Sequence, residues 1–106
     1  MTDAKPVPTP RKETDASRLL LSETPDHART VEEIEIRPKG HGRVPLGSFT
    51  LSNPPEGFSI QVTPDHYSEA VTPQLIRSGA TYNEYELVLY LVNFSEKTLS
   101  VEVFAA

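Results

Sequence analysis

The tetrapeptide Thr24-Pro25-Asp26-His27 recurs 39 residues later as Thr63-Pro64-Asp65-His66, and with His41 the two copies hold all three histidines of the chain. A carboxylate beside an imidazole is a pairing that metal sites and acid–base catalysts use. A metal site would need His27, His41 and His66 to converge from three loops, since no His-x-x-x-His spacing sets two ligands on one helix face. Nucleophilic catalysis would recruit Ser68 beside His66, yet no Gly-x-Ser-x-Gly elbow presents it, and neighbours in sequence rarely form a triad. Pro pre-sets φ and Asp turns the chain through its side-chain oxygen, so both copies read first as loop starts. Their flanks, LSE and IQV, share little and argue against an internal repeat. The expectation is therefore no catalytic residue, no metal ligand and no cofactor.

Other chemistry-bearing pieces have similarly plain readings. Gly40-His41-Gly42 matches no phosphate loop and reads as a turn between strands. Asn93-Phe94-Ser95 has the glycosylation pattern but reads as a tight turn in a chain whose N-terminus lacks a basic-then-apolar leader. Tyr67, Tyr82, Tyr85 and Tyr90 are residues of the kind found at interface hot spots, and packing accounts for them equally well. Cysteine is absent, which excludes disulfides, thiolate zinc sites and thiol nucleophiles.

The elements that must position these residues are strands. Residues 31–37 alternate, with Ile34 and Ile36 against Glu33 and Glu35, before 38–42 breaks the run. Residues 43–52 carry Val44, Leu46, Phe49 and Leu51, with a change of parity at Gly47 that implies a β-bulge. After the turn at 53–57, Phe58, Ile60 and Val62 share one face. Residues 67–77 are ambiguous between short strands and a loop. Residues 85–93 are apolar on both faces, Tyr85, Leu87, Leu89 and Leu91 on one and Val88, Tyr90 and Val92 on the other, as expected of a central strand or one buried between subunits. Residues 98–104 return with Leu99, Val101 and Val103 inward and Phe104 outward. The fold class expected is all-β, a small barrel or jelly-roll-like sandwich over residues 19–106.

The first 18 residues contain three prolines, no aromatic and four basic against three acidic side chains, a net of +1 that leaves the remainder at −6. They read as a flexible arm that cannot bury enough surface to order itself, with Lys5, Arg11 and Lys12 as candidate partner contacts. An overall charge of −5 and a pI near 5.1 argue against a nucleic-acid surface dominated by phosphate contacts. No apolar run reaches the roughly 20 residues of a membrane span. The chain is expected to be soluble, cytoplasmic or virion-associated. So many outward apolar positions in 106 residues favour a homo-oligomer.

Two stretches, IRPKGHGRVPLGSFTLSNPPEGFSIQVTP and YNEYELVLYLVN, together resemble the core of the trimeric dUTP pyrophosphatases (dUTPases). The turn at 38–40, Val44-Pro45-Leu46-Gly47, Pro55-Glu56-Gly57-Phe58 and the strand 60–64 fall in the family's order. Glu86, the apolar run 87–92 and Asn93 fit its strand ending. The resemblance implies a β-barrel trimer whose subunit contacts include Val88, Tyr90, Val92 and Phe104. Departures remove the family's site. Where its phosphate-gripping Pro-Arg-Ser-Gly would stand, this chain reads Pro64-Asp65-His66-Tyr67, and an Asp there would repel phosphate by about 4 kcal/mol at an effective dielectric of 20. Tyr82, Asn83 and Tyr85 replace the acidic residue, stacking Tyr and Gly of the strand entry. No Asp follows Asp65, and the family's later segments are missing.

The functional expectation is a non-catalytic oligomeric assembly or binding module, a homotrimer engaging a larger protein partner or particle, for which viral capsid decoration is an analogy. The alternative is a divergent nucleotide-binding or nucleotide-hydrolysing enzyme using Asp65 and Glu86 around magnesium.

Overall fold

The structure, a computed structural model, describes residues 13–79 and 83–106. Seven strands follow in order: β1 (Glu13–Asp15), β2 (Arg29–Ile36), β3 (His41–Thr50), β4 (Phe58–Thr63), β5 (Val71–Gly79), β6 (Glu84–Asn93) and β7 (Leu99–Ala105). Short 3-10 helices, Ser17–Leu19 and Asp65–Ala70, follow β1 and β4. The strands form two antiparallel sheets ordered β1-β5-β6-β3 and β2-β7-β4.

The period-2 pattern decides which side chains meet between the sheets. Leu87, Leu89 and Leu91 of β6 and Leu99, Val101 and Val103 of β7 have no solvent exposure, and with Ile36, Val44, Phe58, Val62 and Leu75 they form one cluster. Each sheet has one face in this cluster and one turned out. The two sheets make a sandwich, and the barrel alternative gives way because neither sheet closes on itself. β3 does approach β2: a Cβ on Gly42 would lie 2.6 Å from Ile34 Cδ1. The two strands nonetheless share no ladder. Glutamates line β2, while β3 carries Pro45 and a register shift between Pro45 and Gly47, features that blunt exposed edges. That shift is the bulge implied by the parity change; Leu46 is the extra residue and Gly47 takes φ +106°.

Two expectations change. Residues 13–18 do not belong to a free arm. β1 pairs with Ile76–Ser78 of β5, Asp15 Oδ1 accepts hydrogen bonds from the Ser17 amide (3.1 Å) and hydroxyl (2.6 Å), and Ala16 enters the core with its N–H bonded to Leu75 O at 2.8 Å. Main-chain pairing with a strand far along the chain orders this piece, and composition does not register it. Lys5, Arg11 and Lys12 lie outside the described residues. The ambiguous stretch 67–77 resolves into the end of the second 3-10 helix and most of β5. β1 pairs with β5 only at Ile76–Ser78, so among the described residues Pro73 falls where β5 has one neighbour and its missing N–H costs no ladder bond on that side.

The ends of the sandwich are tied differently. At one, Gly57 (φ +153°) lets the 19–21 segment cross: a Cβ there would meet the Leu21 side chain at 2.9 Å and Leu19 O at 3.1 Å. At the other, the Asn93 side chain has no solvent exposure. Its amide nitrogen donates to Ile36 O (3.0 Å), Arg37 O (3.1 Å) and Lys97 O (2.8 Å), and its oxygen accepts from the Ser95 amide and hydroxyl. Asn93 thus fixes the end of β6 to the end of β2 across the sheets. The glycosylation pattern at Asn93-Phe94-Ser95 is a turn, with its acceptor nitrogen committed to main-chain carbonyls.

Candidate functional site

Both Thr-Pro-Asp-His copies turn the chain with the same bond. Ala28 N donates to Pro25 O at 3.1 Å, and Tyr67 N to Pro64 O at 3.0 Å. The first copy is held by Thr24 Oγ1 against Ser59 Oγ (2.8 Å), over the outer side of β4. The second opens the Asp65–Ala70 helix, where His66 lies against the Tyr67 ring at 4.6 Å between centroids. His41 stands on the outer face of the other sheet, opposite Val92 in register. The three histidines are all exposed and occupy separate places. Among the described residues, no group of three or more His, Cys, Asp or Glu side chains is arranged to hold a metal.

Asp65 and Glu86 are not brought together. Asp65 is exposed beside β4, against Ile60–Thr63, whereas Glu86 points outward from the other sheet between Ser48 and Ser78. The body of the sandwich, about 10 Å between sheets, separates them. Asp65 and Ser68 border an open cleft of about 480 Å³ along β4, and two further clefts lie away from both carboxylates. One of about 330 Å³ is lined by Val31, Leu46, Phe49 and Phe58 with Arg29 at its side. Another of about 380 Å³ is bordered by Arg18, Arg77 and Tyr85, with the Arg77 guanidinium 4.7 Å from the Tyr85 ring centroid. None of the three gathers a nucleophile, a base and an orienting group; the cleft along β4 has Asp65 and Ser68 in its lining without His66.

The outer faces of the two sheets carry the contrast that matters. On the β1-β5-β6-β3 sheet the outward residues run in cross-strand rows: Thr72, Val92 and His41; Gln74, Tyr90 and Arg43; Asp15, Ile76, Val88 and Pro45; Glu13, Ser78, Glu86 and Ser48. Ile76, Val88, Tyr90, Val92 and Pro45 make a continuous apolar strip. Val88 is 8 % exposed, yet it lies outside the inter-sheet cluster, screened by its neighbours on the same face. On the β2-β7-β4 sheet the rows are Thr30, Phe104 and Ser59; Glu33, Glu102 and Gln61; Glu35, Ser100 and Thr63. That face is acidic and hydroxylated, and Phe104 is its one aromatic.

Of the four residues expected at a subunit contact, three therefore lie together. Val88, Tyr90 and Val92 share one outer face, and Phe104 stands on the opposite side of the molecule. Sequence reasoning missed Ile76 and Pro45. The adjacent pair Leu75-Ile76 was the available signal, since two apolar neighbours in a strand must point to opposite faces. The chain matches no family model, no curated protein and no solved structure. No helix among the described residues is long and apolar enough to cross a membrane.

Proposed function

We propose that this protein is a non-catalytic assembly module that works by burying the outer face of its β1-β5-β6-β3 sheet in a homo-oligomer. One observation carries the reading: Ile76, Val88, Tyr90, Val92 and Pro45 form an outward apolar strip with no element of the described chain packed on it. A small domain has little surplus stability, and an apolar strip in the middle of a sheet face contributes only when it leaves water. The nucleotide-hydrolysing alternative has no comparable support, because Asp65 and Glu86 flank opposite sheets and share no site for magnesium.

Light scattering after size exclusion at micromolar concentration, paired with thermal melts with and without dUTP and magnesium, tests this reading. The expected result is a mass above that of one chain, with melting indifferent to nucleotide. A ligand at 100 times its dissociation constant would add about 2.7 kcal/mol of stability, easily seen in the melt, and such a shift would return the nucleotide enzyme to first place.

A further inference from the structure

The outer face of the β1-β5-β6-β3 sheet is electrically lopsided in a way that suits a copy of itself. Arg43 sits on β3 at one corner, opposite Tyr90, and makes no ion pair among the described residues. Glu13 and Asp15 sit on β1 at the diagonally opposite corner, beside Ser78 and Ile76. Between the corners lie Ile76, Val88 and Tyr90. Counting along the ladders, Arg43 and Glu13 are three strands and four residues apart, about 14 Å across and about 13 Å along, with their midpoint between Ile76 and Val88.

We infer that the occupant of this face is a second copy of the chain, packed face to face about a two-fold axis that lies in the face and crosses it between Ile76 and Val88. This rests on the assembly reading above and adds to it the partner's orientation. Rotation about an axis perpendicular to the Arg43–Glu13 diagonal sets Arg43 of each copy over the acidic β1 corner of the other. Ile76 and Val88 of the two copies then meet at the axis, and Tyr90 of each lies toward the Asp15 edge of the other. The contact is isologous, with the same pair made twice, as closed dimers require. Edge-to-edge pairing through β3 is disfavoured by Pro45 and the adjacent bulge, so association uses the face. The area is on the order of 500 Å² per copy, at the low end for specific interfaces, where weak and transient contacts fall.

Two charge reversals on exposed positions, Arg43→Glu and Glu13→Lys, test the orientation. Each alone juxtaposes like charges twice in its own dimer and should weaken association at least tenfold, measured by sedimentation velocity from about 5 to about 200 µM at low salt. Mixed in equal amounts, the two variants should recover the wild-type dimer. In the mixed pair the two reversed side chains face each other with opposite charge at one contact, and the unaltered Arg43 and Glu13 meet at the second. Circular dichroism melts of each variant confirm that the fold is intact. Single variants that dimerise like wild type, a mixture that stays dissociated, or a wild-type mass of three chains would overturn the two-fold arrangement while leaving assembly through this face standing. A wild-type chain that stays monomeric across the whole range would overturn both.

Discussion

On the outer face of the β1-β5-β6-β3 sheet, the central strand turns Val88, Tyr90 and Val92 away from the core; on the β2-β7-β4 sheet, the central strand turns out Ser100, Glu102 and Phe104. Both strands obey the same alternation, β6 putting Leu87, Leu89 and Leu91 inward and β7 Leu99, Val101 and Val103. Only their outward residues differ. Glu33 and Glu102 stand directly opposite each other, a pairing that costs stability unless the carboxylates are well solvated. Each also accepts a hydroxyl, Glu33 from Ser100 Oγ (3.0 Å) and Glu102 from Thr30 Oγ1 (2.6 Å). A sheet face that tolerates opposed carboxylates is built for water. A face with Ile76, Val88 and Pro45 in one row is apolar where the other is charged, and the proposed assembly surface rests on that contrast.

The contrast depends on a sandwich that keeps the faces apart, and its strongest test removes the tie between the sheets. Asn93→Ala deletes every bond from the side chain that joins β6 to the end of β2. It leaves the buried carbonyl of Ile36, the part-buried carbonyls of Arg37 and Lys97 and the part-buried Ser95 amide without that partner. With each stranded buried group costing about 1–3 kcal/mol and some regaining water, a loss of about 3 kcal/mol or more is expected in urea denaturation. A loss below about 1 kcal/mol would mean that this end of the sandwich is held by other means.

Next in size is the effect of placing one charge on each face. Tyr90→Glu puts a carboxylate in the middle of the apolar strip and should weaken self-association by about a hundredfold in sedimentation velocity, while the isolated chain keeps its fold. Phe104→Glu makes the same chemical change on the acidic face and should leave the association constant within about twofold. Equal effects from the two would erase the distinction between the faces. A larger effect from Phe104→Glu would reverse it and move the contact to the β2-β7-β4 sheet.

How much of this was legible beforehand follows from where each signal lives. The inward and outward positions of β6 and β7 were readable because strict alternation over seven to ten residues is a local property, and the bulge at Leu46 showed as a break in that alternation. The grouping of Val88, Tyr90 and Val92 followed from one strand. Joining Phe104 to them required knowing to which sheet each strand belongs, and every connection between described strands except β5 to β6 changes sheet. Alternation carries no information about that choice. The acidic corner at β1 was hidden for a related reason, since Glu13 and Asp15 gain their place only by pairing with Ser78 and Ile76, more than 60 residues away. Asn93 read as a turn residue, and nothing adjacent to it announces that its amide reaches Ile36 O.

The smallest test refines the acidic side of the comparison. If that face is free and solvated, the repulsion between Glu33 and Glu102 is a modest surface cost offset by hydroxyl contacts and water. Glu33→Gln keeps the shape and an oxygen that can accept from Ser100 Oγ, and removes one of the two opposed charges. The expected gain is a few tenths of a kcal/mol at low ionic strength, shrinking toward zero by about 1 M salt, where screening acts within roughly 3 Å. Urea denaturation at the two salt concentrations reads both numbers. A loss of stability that persists at high salt would show that the Glu33 carboxylate contributes through its bond to Ser100 more than it costs through Glu102, and the outer face of this sheet would then be an organised polar surface in its own right.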